Sequence, residues 1–352
     1  MRFDLPPPYP PRRSPDVARA RARSAAWARG TGIPEPDVWD EQDLPDFDFA
    51  SFAALVHPDA RGAGLELVTC WYLWSWYLDD LVMERFKRTR DLAGARAYLS
   101  RLPALLRENP PTPTNPVERG LADLWSRTTA KRDPAWRTRM AALVPNLFED
   151  ALWEIANLVQ GRPPEPVDYL QMRRLSGGAG WAAQLVEHLL NVELPPALLA
   201  SSVLTRLHDA FADVIDLHND LVSYRRETEY EHELNNNVVV TQTFLGTGLP
   251  EATVRTQQLL DARLALFEHL AESEIPAFLT DAGISATTTL RYLNGLRDWL
   301  AGDYQWHLET ARYRPASWER KRVTPGTPSG LGTAATRIRT PGHSPIGRPA
   351  AG

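Results

Sequence analysis

Two groups of oxygen-bearing side chains in this sequence have the types and spacing to hold a hard cation. The first is Asp79 and Asp80, which directly follow the aromatic run Trp71-Tyr-Leu-Trp-Ser-Trp-Tyr-Leu78, with Glu84 four positions beyond Asp80. A helix so aromatic must be buried over most of its surface, and no basic residue follows the acids before Arg85. Carboxylates at the edge of an apolar interior need compensation, and magnesium accepts a few carboxylate oxygens together with water and substrate phosphates. Alone, the cluster also fits a solvated helix end. The second group is Asn219, Ser223 and Glu227, spaced by four and four. On a helix these positions line one face, so an amide oxygen, a hydroxyl and a carboxylate point the same way. A polar helix surface with an Arg/Glu pair is the competing interpretation, and the presence of both groups in one chain weighs against it.

The elements that position these groups read as helices. Val17–Arg29 follows Ser14-Pro-Asp16 and stops at Gly30, and Leu65–Arg88 carries the first acidic group. Helical spacing or capping marks Val117–Lys131, Trp136–Val159, Pro166–Leu175, Trp181–Leu190, Pro195–Tyr224, Val238–Leu245, Thr253–Ser273 and Thr287–Arg312. Proline and glycine punctuate most junctions. Neither an internal repeat nor βαβ alternation is present. The expectation is an all-α domain of roughly ten to twelve helices spanning 17–322.

Composition narrows the class. The net charge is 39 − 44 = −5, too mild and of the wrong sign for a polyanion-binding surface, so nucleic acid is not an expected partner. One cysteine cannot form an internal disulfide or a multi-thiolate metal site. Met1–Pro15 has no apolar core of signal-peptide type, and Leu67–Leu78 is too short for a bilayer, which takes roughly 20 residues. A soluble cytoplasmic protein without a membrane partner is expected. Residues 1–16 form a proline-rich segment with six prolines in the first fifteen positions. Residues 323–352 hold five Pro, six Gly and no acid, and read as a disordered tail or linker. Without the three arginines of that tail the remaining charge is 36 − 44 = −8.

The motifs Asp79-Asp80-x-x-x-Glu84 and Asn219-Asp-x-x-Ser223-x-x-Arg226-Glu227 resemble the paired metal motifs of bacterial class I terpene synthases. Further similarity lies in Arg173, 46 residues before Asn219, and in the pair Arg312-Tyr313. The resemblance is nearest to the germacradienol synthase-type N-terminal domain of geosmin synthases. It extends through Ser24-Ala-Ala-Trp27, His57-Pro-Asp59, Asn115-Pro-Val-Glu118, Gly120–Trp125, Gly177-Gly178 and Trp306-His307, and Gly330-Leu-Gly-Thr333 is similar to the linker before a second domain. No such domain is in the sequence, so the expectation is either a one-domain relative or a chain that ends before it. One departure is Leu81-Val-Met83, where that subgroup has His-Phe-Leu.

This resemblance implies an isoprenoid synthase α-helical bundle that cyclises farnesyl diphosphate with three Mg²⁺. Asp79, Asp80, Glu84, Asn219, Ser223 and Glu227 would be the metal ligands. Arg173, Arg226, Arg312 and Tyr313 would bind the leaving diphosphate, with Arg174 the alternative to Arg173 if the register is off by one. Ser176 and Gly177 would form the helix break that responds to it. The implied product is a germacradienol-type alcohol, formed by water capture. A different cyclic sesquiterpene is the alternative, and a chain-elongating prenyltransferase is disfavoured by the lack of a second Asp-rich motif. Carbocations need a dry cavity, and aromatic faces stabilise them by about 0.5–2 kcal/mol each. Trp76 and Trp306 are the first candidates for such walls and Trp181 the third. Trp299 reads as structural, and His218 and His307 as packing or surface residues.

Overall fold

The computed structural model describes residues 5–130 and 132–323, with the backbone alone for Leu147, Asp150, Ser176 and 320–323. The expected tail thus lies, from residue 324 on, outside the described residues. Those residues form seventeen α-helical segments and no strand. The fold class therefore matches the expectation, while the helix count exceeds it for local reasons. Pro145 divides the expected 136–159 helix into Pro134–Leu143 and Asn146–Gln160, and the expected 195–224 helix is Pro196–Leu199 followed by Ser202–Arg226. Phe49–Val56, absent from the expected set, is buried at all eight positions and so shows no polar-apolar period. Its start is set by Asp48, whose side chain accepts the Ser51 N–H.

Four elements build the interior. The aromatic helix Gly62–Val82 is buried on nearly every side; Trp71, Tyr72, Trp74 and Tyr77 are each at most 1 % exposed. It packs between Val17–Thr31 and Phe49–Val56, and the central helix Ser202–Arg226 and the C-terminal helix Thr287–Glu309 complete the core. Close approach is enforced at Gly302, where a Cβ would stand 2.4 Å from the backbone carbon of Leu55. Only glycine permits that contact. Each buried tryptophan removes about 150–250 Å² from water, so the aromatic helix anchors the body as well as carrying the acids.

The segment before the first helix is a strap. Arg12 bonds Asp59 and Asp298, Arg13 bonds Glu309 and Ser51, and the Ser14 hydroxyl donates to the Ala60 carbonyl at 2.7 Å. No helix among the described residues is long and apolar enough to cross a membrane.

Candidate active site

The aromatic helix and the central helix end side by side, and both pass into a π-turn, Met83–Lys87 and Glu227–Glu231. Three polar rungs join them: Arg226 to Asp80 at 2.7 Å, Tyr230 to Glu84 at 2.6 Å and Lys87 to Glu233 at 2.8 Å. Each rung joins residues 146 apart in sequence. Two helix C-termini converge here, so their partial negative charges add to those of the acids. This is a place for cations.

A cavity of about 210 Å³ opens between the two ends. Asp79, Asn219, Ser223 and Glu227 line it, together with Arg173, Arg226, Arg312 and Tyr313. Below this polar mouth, Tyr72, Trp76, Trp181, Ala182, Ile215 and Trp299 form an apolar, mostly aromatic floor. The two acids of the first motif differ sharply. The Asp79 side chain is 60 % exposed, whereas that of Asp80 is 3 % exposed and accepts bonds from Arg226, both Arg312 nitrogens and the Trp39 indole. Asp80 and Glu84 do not line the cavity. Glu84 is taken up by Arg88 and Tyr230. The rotation of the helix and its π-turn aim Asp79 toward the cavity and direct Asp80 and Glu84, expected beside it as metal ligands, at arginine and tyrosine.

Asn219 is held in one orientation. His307 Nδ1 lies 2.8 Å from the Asp303 carbonyl, which can only accept, so Nδ1 carries the proton and Nε2 is an acceptor. The Asn219 amide nitrogen then donates to His307 Nε2 at 3.3 Å and to Tyr313 at 3.1 Å. Its oxygen is left for Arg173, 3.2 Å away, and for the cavity. Ser223 donates to the Asn219 carbonyl at 2.6 Å, leaving hydroxyl lone pairs available. The Glu227 carboxyl is pushed up to about 8, first by burial and then by the charges of Asp220 and Glu231. Hard oxygens on both faces, with a carboxyl whose ionisation is opposed first by burial and then by its acidic neighbours, fit a divalent cation of the magnesium type; Asp79, Asn219, Ser223 and Glu227 would hold it.

The remaining expected residues divide. Arg173 lines the cavity, while Arg174 makes two bonds to Asp213 and does not line it. Gly177 lies at the break between Pro166–Ser176 and Ala179–Leu189, and a Cβ there would come 1.9 Å from Asp216 Oδ1. The side chain of Ser176 lies outside the described residues. Trp76 and Trp181 line the floor, but Trp306 stands one layer behind, its ring tilted 59° to that of Trp76 and its indole N–H on the Phe47 carbonyl. Trp299 and His307, expected as packing or surface groups, line the cavity instead. Their spacing with Asp303 is i, i+4, i+8, the same signal that marks the Asn219 face. Tyr72 and Asp216 also line it without a sequence signal of their own.

Comparison with known proteins agrees with this geometry. Residues 70–265 match the family described as "Terpene synthase family 2, C-terminal metal binding". Pentalenene synthase of Streptomyces avermitilis is 30 % identical over 87 % of this chain and 91 % of its own length. Pristinol synthase of Streptomyces pristinaespiralis is 28 % identical over 94 % of this chain and 91 % of its own. Among solved structures, linalool/nerolidol synthase from Streptomyces clavuligerus in complex with 2-fluorogeranyl diphosphate superposes with a TM-score of 0.74 at 25 % identity, covering 84 % of this chain and all of that one. The family match takes in both cavity-lining helix ends and more than half of the sequence. On these grounds the chain belongs to the bacterial class I terpene synthases, enzymes of the all-α isoprenoid synthase fold.

Proposed function

We propose that this enzyme ionises and cyclises farnesyl diphosphate in a magnesium-dependent reaction, releasing diphosphate and a germacradienol-type alcohol. The observation that carries the reading is a single cavity with oxygen donors on two converging helix ends and an aromatic floor below them. The fifteen-carbon substrate draws support from relatives whose names specify farnesyl diphosphate cyclisation, such as (+)-T-muurolol synthase of Roseiflexus castenholzii. The alcohol draws on the motif resemblance described above. Pentalenene synthase and pristinol synthase, both similar to this chain, favour a second reading with a different sesquiterpene skeleton.

Bound magnesium, three ions by the family resemblance, would neutralise charge that builds on the leaving diphosphate. The protein's own groups do the rest. Arg173, Arg226 and Arg312 present guanidinium groups to the same leaving group, and Tyr313 offers a hydroxyl. Asp80 fixes Arg226 and Arg312 before substrate arrives, so little reorganisation is needed when charge develops. The faces of Trp76, Trp181 and Trp299 stabilise the cation without offering it a nucleophilic heteroatom, and their bulk keeps bulk water out.

Purified protein incubated with farnesyl diphosphate and Mg²⁺ should give a cyclic product by gas chromatography–mass spectrometry, and EDTA should abolish it. Absence of any chelator-sensitive cyclic product from geranyl, farnesyl or geranylgeranyl diphosphate refutes the proposal. Asn219→Leu should lose turnover while keeping the wild-type melting temperature; full activity in that variant would remove Asn219 from the metal face.

A further inference from the structure

The floor of the cavity is aromatic, yet it carries two polar atoms that the ionisation step does not use. One is the hydroxyl of Tyr72, a cavity-lining residue 1 % exposed. It accepts the indole N–H of Trp299 at 2.9 Å and lies 2.7 Å from Nε2 of His57. The other is the indole N–H of Trp181, 4 % exposed, which lines the same cavity and has no hydrogen-bond partner among the described residues. The Tyr72 and Trp181 rings meet edge to face at 5.4 Å. A buried N–H without a partner is costly, and a bound polar molecule would relieve it.

We propose that Trp181 and Tyr72 hold the water that ends the cation's rearrangement, and that Tyr72 passes the released proton to His57. This rests on the alcohol reading given above. The water oxygen accepts from Trp181 Nε1–H and donates one hydrogen to Tyr72 Oη. Its remaining lone pair forms the C–O bond to the carbocation. The O–H bond facing Tyr72 then breaks, its proton moves to Tyr72 Oη, and the tyrosine's own proton moves to His57 Nε2. The products are a neutral alcohol, a neutral tyrosine and an imidazolium ion.

The surroundings suit each role. Burial raises the Tyr72 phenol well above its ordinary value, so the hydroxyl cannot hold a charge and must relay the proton. Burial, with a smaller contribution from His188, pushes His57 down to about 3. Its resting state is therefore the neutral imidazole, with a lone pair able to take a proton from an oxocation, and the imidazolium gives that proton up readily. His57 is screened from the cavity by Tyr72, so it acts through the tyrosine and not on the water itself. Trp299, by occupying one lone pair of Tyr72, sets the direction of the other.

The test compares product profiles. Tyr72→Phe and Trp181→Phe keep the ring shapes and remove one polar atom each. In assays with farnesyl diphosphate in H₂¹⁸O, wild-type enzyme should yield ¹⁸O-labelled cyclic alcohol. In each variant the ratio of alcohol to hydrocarbon among the products formed should fall at least tenfold, a reading independent of the overall rate of diphosphate release. His57→Gln retains an acceptor for the tyrosine hydroxyl but no base. Its alcohol fraction should also fall, and the change in that fraction between H₂O and D₂O seen for wild type should disappear. If Tyr72→Phe fails to fold, as judged by its melting curve, Trp181→Phe and His57→Gln decide the matter. Labelled alcohol from wild type with an unchanged ratio in the folded variants overturns this inference alone. Cyclic hydrocarbon only from wild type overturns the alcohol reading and this inference with it.

Discussion

Neighbouring carboxylates at 79 and 80 should give opposite phenotypes. Asp80 is the hub of a buried network: it accepts from Arg226, Arg312 and Trp39, and the side chains of Asp80, Arg226 and Arg312 are 3 %, 6 % and 3 % exposed. Asp80→Asn removes the charge and leaves two guanidinium groups buried without it. Breaking a buried ion pair from one side costs about 3–5 kcal/mol. A folded body of roughly 320 residues has an unfolding entropy near 0.7 kcal/mol/K at about 2.1 cal/mol/K per residue, so the melting temperature should drop by about 4–7 °C. Asp79, with a side chain 60 % exposed and Arg312 at 3.8 Å, carries almost no such burden. Asp79→Asn should change stability by under about 0.5 kcal/mol, below 1 °C, yet reduce turnover at least a hundredfold. Differential scanning calorimetry of the three proteins, paired with diphosphate release, separates the two roles. An Asp80→Asn protein that melts within 1 °C of wild type would refute the hub. Equal losses of stability in both variants would refute the distinction between the residues.

Other perturbations have equally definite outcomes. Gly177→Ala would force a Cβ to 1.9 Å from Asp216 Oδ1, so the helix break must shift; turnover should fall at least tenfold, and an active, unshifted enzyme would show that the break adapts freely. Lys87→Met leaves Glu154 and Glu233 buried without their shared ammonium and should cost about 3–5 kcal/mol. Adding Glu233→Gln should recover part of that loss in a double-mutant cycle; strict additivity would mean the pair is not coupled. Stability should also fall with acid below the ordinary histidine range. Burial lowers His208 from 6.5 to about 4, so the unfolded chain binds a proton there that the folded one refuses. The contribution is complete above pH 6.5 and shrinks as pH falls toward 4, by at most about 1.4 kcal/mol per unit. His208→Gln should flatten melting temperature against pH between 6.5 and 4.5, and an unchanged slope would assign the acid sensitivity elsewhere.

The family was legible, as was the face that Asn219, Ser223 and Glu227 present to the cavity, because their signals are local. Oxygen donors at i, i+4 and i+8 mark a face whatever packs against it, and the aromatic run before Asp79 declares a buried helix. What was not legible is rotation about the helix axis. Adjacent residues differ by about 100°, so Asp79 and Asp80 point in different directions, and sequence spacing does not say which one lines the cavity. The same ambiguity hides the order of the tryptophans. Trp299 and Trp306 lie on one helix two turns apart, but only the layer formed by Phe49 and Phe52 decides that Trp306 stands behind Trp76. Phe49–Val56 escaped notice because an element buried on every side has no period to detect. Tyr72 and His57 carry no mutual signal at all; fifteen residues apart, they meet only because two helices pack.

The three rungs at the cavity mouth make the two halves of the site separable in chain length. Because 80, 84 and 87 step in time with 226, 230 and 233, an insertion of one residue inside either run turns everything after it by about 100° and unseats the rungs beyond. Insertions in the loops between residues 88 and 201 leave the pairing untouched. The floor residues Tyr72 and Trp76 precede the rungs, while Trp181 lies within the tolerant interval and Trp299 far beyond it. The mouth therefore behaves as a fixed chassis onto which floors of different contour can be fitted, and chimeras with relatives should keep diphosphate chemistry while exchanging product when their junctions avoid 79–87 and 219–233.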